Sequence, residues 1–182
     1  MESVFEFPNL DDDPRTRVYM LEELELDVST GQLYPSRRLT NTGSHAWPGL
    51  LRETVERHEP GWLERQSQQS GYWLEREPTT TRSGQPSSRK VPPDAAQTLA
   101  EGQFMRYYLR AVARRAIDDG FALEVRRLKD VASPRSISVQ LIGTRVDPAQ
   151  LLDDLRRNQG IETFLDIPPG PNSGLGVVIV PN

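Results

Sequence analysis

The chain has no cysteine, which removes disulfides, thiolate nucleophiles and cysteine-based zinc sites together. Histidine occurs only at His45 and His58. They flank an expected short helix, and neither has an acidic residue at a metal-ligand spacing, so both read as surface residues. No G-x-S-x-G elbow is present, and the glycines from Gly170 to Gly176 lack the strand, loop and helix order of a phosphate cradle. Lysine appears only at Lys90 and Lys129, arginine supplying the other cations. No window approaches the ~20 apolar residues of a membrane helix, and the N-terminus lacks a basic region followed by an apolar one. The expectation is a soluble, unprocessed chain with no catalytic residues, cofactor or metal.

What is present points to turns and surfaces as much as to a core. The apolar share is 36%, with 15 prolines and 13 glycines in 182 residues, so much of the chain is expected in irregular segments. The net charge of −4 gives no global attraction to nucleic acid or to an anionic membrane, so any such binding is local.

Residues 94–120 carry the strongest helix signals. Asp94 follows two prolines as a candidate N-cap, Gln97 stands in the capping-box position, and Gly120 suits the residue that ends a helix. Phe104, Tyr108, Val112 and Ala116, flanked by Met105, Leu109, Ala113 and Ile117, make a broad apolar face. Arg106, Arg110 and Arg114 line the opposite side. Three cations at i, i+4 repel one another unless something anionic answers them. The candidate answers are local Asp and Glu on a solvated face, a protein neighbour's acidic surface, or nucleic-acid phosphate, for which stacking aromatics are missing.

Before this helix, residues 1–14 read as an arm. Phe5 and Phe7 are candidate anchors in a neighbour's groove, and Asp11 to Asp13 form an acidic run. Residues 17–28 mix two periods, leaving both a strand, hairpin-linked through Ser29-Thr30-Gly31, and a helix open. Glu22, Glu23, Glu25 and Asp27 read as a solvated face. After an Asn41-to-Ser44 turn, two short helices are expected, with Pro48 in the first turn of one and Pro60-Gly61 before the other. Tyr72 to Arg76 reads as a short strand. The Pro/Ser/Thr/Gly-rich residues 77–93 read as a linker, dividing an N-terminal arm (1–76) from a domain (94–182).

Past Gly120, Phe121 to Arg126 and Ile137 to Leu141 alternate as strands. Asp147-Pro148 opens a helix carrying Leu151, Leu152 and Leu155, Pro168 to Asn172 reads as a rigid loop, and Leu175 to Val180 as an inner strand. The expected fold class is α+β, with the (β)αββαβ order of a ferredoxin-like sandwich behind an extended, irregular N-terminal region.

Across residues 100–176, GQFMRYYLRAVARRAIDDG, LEVRRLKDVASPRSISVQLIGTRVDPAQLLDDLR and PPGPNSGL, the chain resembles small proteins of the structural gene modules of tailed bacteriophages and prophages. The resemblance implies a non-enzymatic virion component of the head, neck or another structural part, assembled in the bacterial cytoplasm. The function expected from both lines is binding to other protein subunits, copies of itself among the candidates, through Phe5, Phe7, Arg106, Arg110 and Arg114. The rival is a nucleic-acid-binding module that uses the arginine row; the third reading is a hydrolase or transferase with an unrecognised site.

Overall fold

The computed structural model describes residues 5–134, 136–159 and 173–182. The fold is α+β, built round one long helix. In chain order the elements are α1 (Arg15–Ser29), α2 (Asn41–Arg57), α3 (Pro60–Ser67), β1 (Arg76–Thr80), β2 (Pro86–Lys90), α4 (Ala95–Asp119), β3 (Ala122–Arg127), α5 (Ser136–Leu141), β4 (Arg145–Val146), α6 (Pro148–Arg157) and β5 (Leu175–Val180). Helices α1, α2, α3 and α6 all pack on α4, as do β3 and β5.

That central place explains why α4 is buried over most of its circumference. Phe104, Tyr108, Leu109, Ala111, Val112 and Ala113 are wholly buried, so the expected face is interior except at its end, where Ile117 is exposed, and most of the opposite face is interior too. The helix ends as its sequence predicts. Gly120 adopts φ 67°, a left-handed conformation costly for other residues, and its N–H reaches back to Ala116 and Ile117. The start differs: Asp94 makes no side-chain cap, its carbonyl instead accepting from the Thr98 N–H at 2.9 Å, and Gln97 donates to Glu101 at 3.1 Å.

The N-terminal half is where the sequence reading needs most correction. Residues 15–29 are helix, and Ser29-Thr30-Gly31 ends it rather than folding a hairpin. Asn41 to Ser44 is the first turn of α2, capped by the Thr40 hydroxyl on the Gly43 N–H, which places Pro48 inside the helix. Gly43 lies against the backbone carbonyl of Tyr72, where a Cβ would collide, and Thr40 ties the same segment through its N–H to Tyr72 O at 2.9 Å. The strand expected at Tyr72 to Arg76 begins only at Arg76, the first residue of β1; before it Trp73 makes a single bridge to Leu39. The two helices expected after Ser44 are α2 and α3, which with α1 share the core of α4, and the expected linker holds an antiparallel hairpin, β1 with β2.

The second sheet has the order β4-β3-β5, antiparallel throughout. Alternation predicts β3 from Ala122 onward, with Leu123 and Val125 buried, while Phe121, expected on the same face, lies before the strand and is exposed. Residues 136–141 are helix, not strand, with only Ser138 buried. Among the described residues β5 pairs with β3 alone, not as the inner strand expected, and its apolar run is explained by α4 packing on it. The described residues therefore do not follow the ferredoxin-like order. Helix α6 forms as its sequence predicts, the Asp147 carboxylate accepting from the Gln150 N–H at 2.8 Å with Pro148 at the first position. The expected loop at Pro168 to Asn172 lies outside the described residues. No described helix is long and apolar enough to cross a membrane.

Candidate functional site

The arginine row on α4 is the charged centre of the molecule. Arg110 is wholly buried and forks between two carboxylates of α1: Nε donates to Glu23 Oε2 at 2.8 Å and Nη1 to Asp27 Oδ2 at 2.6 Å. Tyr107 Oη donates to the same Asp27 oxygen at 2.9 Å. Glu23 also accepts from Arg156 of α6 at 2.6 Å and from Arg114 at 3.2 Å. Arg114 bonds Glu22 at 2.7 Å and lies 3.9 Å from the centre of the Tyr19 ring. Three guanidiniums thus meet three carboxylates, tying α1, α4 and α6 together. Glu23 and Asp27 are one helical turn apart, the spacing that puts both on one face of α1 opposite the Arg110 turn of α4.

Arg106 serves a different end. It is buried and donates to the carbonyls of Leu155 and Asn158, where a helix leaves unpaired acceptors and the negative end of its dipole. Burial lowers the pKa of Arg106 from its ordinary value. Burial also raises the pKa of the Tyr107 hydroxyl, and the neighbouring Asp27 charge adds to this. At Glu23 burial alone pushes upward, but hydrogen bonds and charge from Arg156 and Arg110 outweigh it, so the net shift is down. Glu23, which accepts from Arg110, Arg114 and Arg156, therefore favours its ionised form.

The other expected contact residues also turn inward. Phe7 lies 5.0 Å from both Phe104 and Tyr108, edge to face, and stacks on Phe5 at 5.6 Å. Phe5 is buried beneath the Lys129 ammonium, 5.1 Å from its ring centre, and the Glu6 N–H donates to Leu128 O at 2.7 Å. These aromatics anchor the N-terminal segment in a groove of their own chain. The acidic run is taken up likewise: Asp12 pairs with Arg115 at 2.7 Å, Asp13 with Arg15 at 2.7 Å and Asp11 with Arg17 at 2.8 Å. Of Glu22, Glu23, Glu25 and Asp27, expected as a solvated face, Glu23 and Asp27 are inside.

His45 is exposed and bonds the Asn41 carbonyl at 2.7 Å, while His58 stacks on Trp62 at 4.2 Å. Among the described residues no group of three or more His, Asp or Glu is placed to hold a metal ion. The sequence reading missed Tyr107, Arg156 and Arg115. The signal for the first two was the Glu23 and Asp27 pair, whose spacing matches the arginine row only once α1 is read as a helix.

The chain matches no family model, no curated protein and no solved structure.

Proposed function

We propose that this is a non-enzymatic structural protein that binds neighbouring subunits in a larger assembly, a tailed-phage virion component of the head, neck or another structural part. The observation that carries the reading is the distribution of apolar and charged side chains. The arginine row of α4 is drawn inward and answered within the chain, while α5 carries Ile137 and Val139 exposed, with Ile142 exposed just beyond it. Exposed apolar side chains grouped on one short element suit an interface with protein. The resemblance of residues 100–176 to virion proteins supports the same reading.

The rival route, nucleic-acid binding through the row on α4, fits the geometry less well. Arg106 and Arg110 are buried, and Arg114 is paired with Glu22 and Glu23, so the three do not face a phosphate backbone together.

Sedimentation velocity tests the self-association form of the reading. The wild-type protein is expected to form a species larger than the monomer at tens of micromolar, and Val139→Asp to shift it to monomer without loss of helix signal. A wild-type monomer at every concentration, indistinguishable from Val139→Asp, would count against copies of this chain as the neighbours of α5.

A further inference from the structure

With the α4 arginines answered inside the chain, a group of cations without an anion among the described residues lies on the β1–β2 hairpin. Residues 76–90 carry Arg76, Arg82, Arg89 and Lys90 against one carboxylate, Glu77, within a chain that is acidic overall. The two faces differ. On one, Glu77 and Arg89 are register partners, and Glu77 bonds both Arg89 and Arg38 at 2.7 Å. On the other, Arg76 stands directly across from Lys90, a like-charge pairing that destabilises a hairpin unless an anion relieves it.

Arg76 donates to the Ser88 hydroxyl and carbonyl, which fixes its direction and leaves its charge unanswered. The side chains of Lys90 and of the turn residue Arg82 have no hydrogen bond or ion pair among the described residues. All three are exposed, as is the whole of β2. The remaining residues of that face, Pro78, Thr80, Pro86 and Ser88, include no carboxylate and no large apolar side chain, so the face offers donors and cations rather than an apolar docking surface.

We propose that the β1–β2 hairpin is a ribbon that binds duplex DNA, with Arg76, Arg82 and Lys90 on phosphates. Five residues per strand make a ribbon of about 17 Å, and the B-form major groove admits a two-stranded ribbon of this kind. The narrow major groove of duplex RNA does not. The site is separate from α5, so it stands or falls independently of the assembly reading.

The test is fluorescence anisotropy with a labelled random-sequence DNA duplex, using the full chain. Three phosphate contacts at roughly 0.9 each predict that wild-type affinity drops about 40-fold between about 50 and 200 mM salt. In Arg82→Gln/Lys90→Gln one contact remains, so binding weakens and the same salt change costs only about 3-fold. Both side chains lack partners among the described residues, so the variant is expected to keep the wild-type circular dichroism spectrum and melting temperature. No wild-type binding at the lower salt, or binding unchanged in the double variant, overturns the proposal. Equal affinity for duplex RNA, or for an acidic peptide of matched charge, overturns it as well and assigns the ribbon to another polyanion.

Discussion

Arg110 Nη1 and Asp27 Oδ2 lie 2.6 Å apart with side chains 0% and 5% exposed, joining α1 to α4 across 83 residues of chain. Such a pair is worth little as a net attraction, because two ions were taken out of water to form it. It is costly to break, because the survivor stays buried and charged. The cluster therefore acts chiefly to specify which turn of α1 meets which turn of α4.

Arg110→Ala is the direct test of this role. It leaves Glu23 and Asp27 without their shared buried cation and is expected to cost about 3–5 kcal/mol, read by urea denaturation. Wild-type stability in this variant would mean that the α1–α4 pairing is misplaced.

Acid should loosen the same cluster. The folded pKa of Glu23 lies below its ordinary value because Arg156 and Arg110 outweigh the effect of burial. A depressed folded pKa contributes stability above the unfolded value, about 4.3 for glutamate, and loses it as pH falls through the folded value. Stability is thus expected to fall from that pH downward, with a shallower fall in Glu23→Gln. Superimposable slopes for the two proteins would remove Glu23 from the acid response.

Val112 is wholly buried on α4. Val112→Asp places a carboxylate in that interior at a cost of several kcal/mol, enough to unfold a domain of ordinary stability. A thermal melt of the variant at the wild-type temperature would show the face to be exposed.

Gly43→Ala sets two effects against each other. Alanine gains about 1 kcal/mol of helix propensity over glycine, but its Cβ would run into the Tyr72 carbonyl, a backbone atom that cannot rotate away. The steric effect should win and the melting temperature fall. A rise would mean that α2 and the Tyr72 segment do not touch.

Trypsin distinguishes a linker from a hairpin on a shared core. Arg82 sits exposed in the turn, so brief digestion should nick there. The fragments 1–82 and 83–182 should then co-elute, held by the packing of α1, α2 and α3 on α4. Separation under native conditions would restore the division into arm and domain.

Local chemistry was enough for the elements whose signals are local. Gly120 ends α4, Asp147 with Pro148 starts α6, and alternation marks β3, since each depends on residues within a turn or two of one another. The same is true of what the composition excludes: without cysteine no disulfide or thiolate site can form. Tertiary structure decided the rest. Residues 17–28 satisfy strand and helix periods over too short a run to choose between them, and packing on α4 selects the helix. Residues 136–141 alternate like a strand yet coil as α5, because β3 takes β4 and β5 as its neighbours. Arg106, Arg110 and Arg114 look like a solvent-facing stripe because the groups that answer them, Glu22, Glu23, Asp27 and the end of α6, lie 49 to 92 residues away along the chain. A charge stripe shows in sequence, but whether it meets solvent, a partner or its own carboxylates depends on which helices the core brings together.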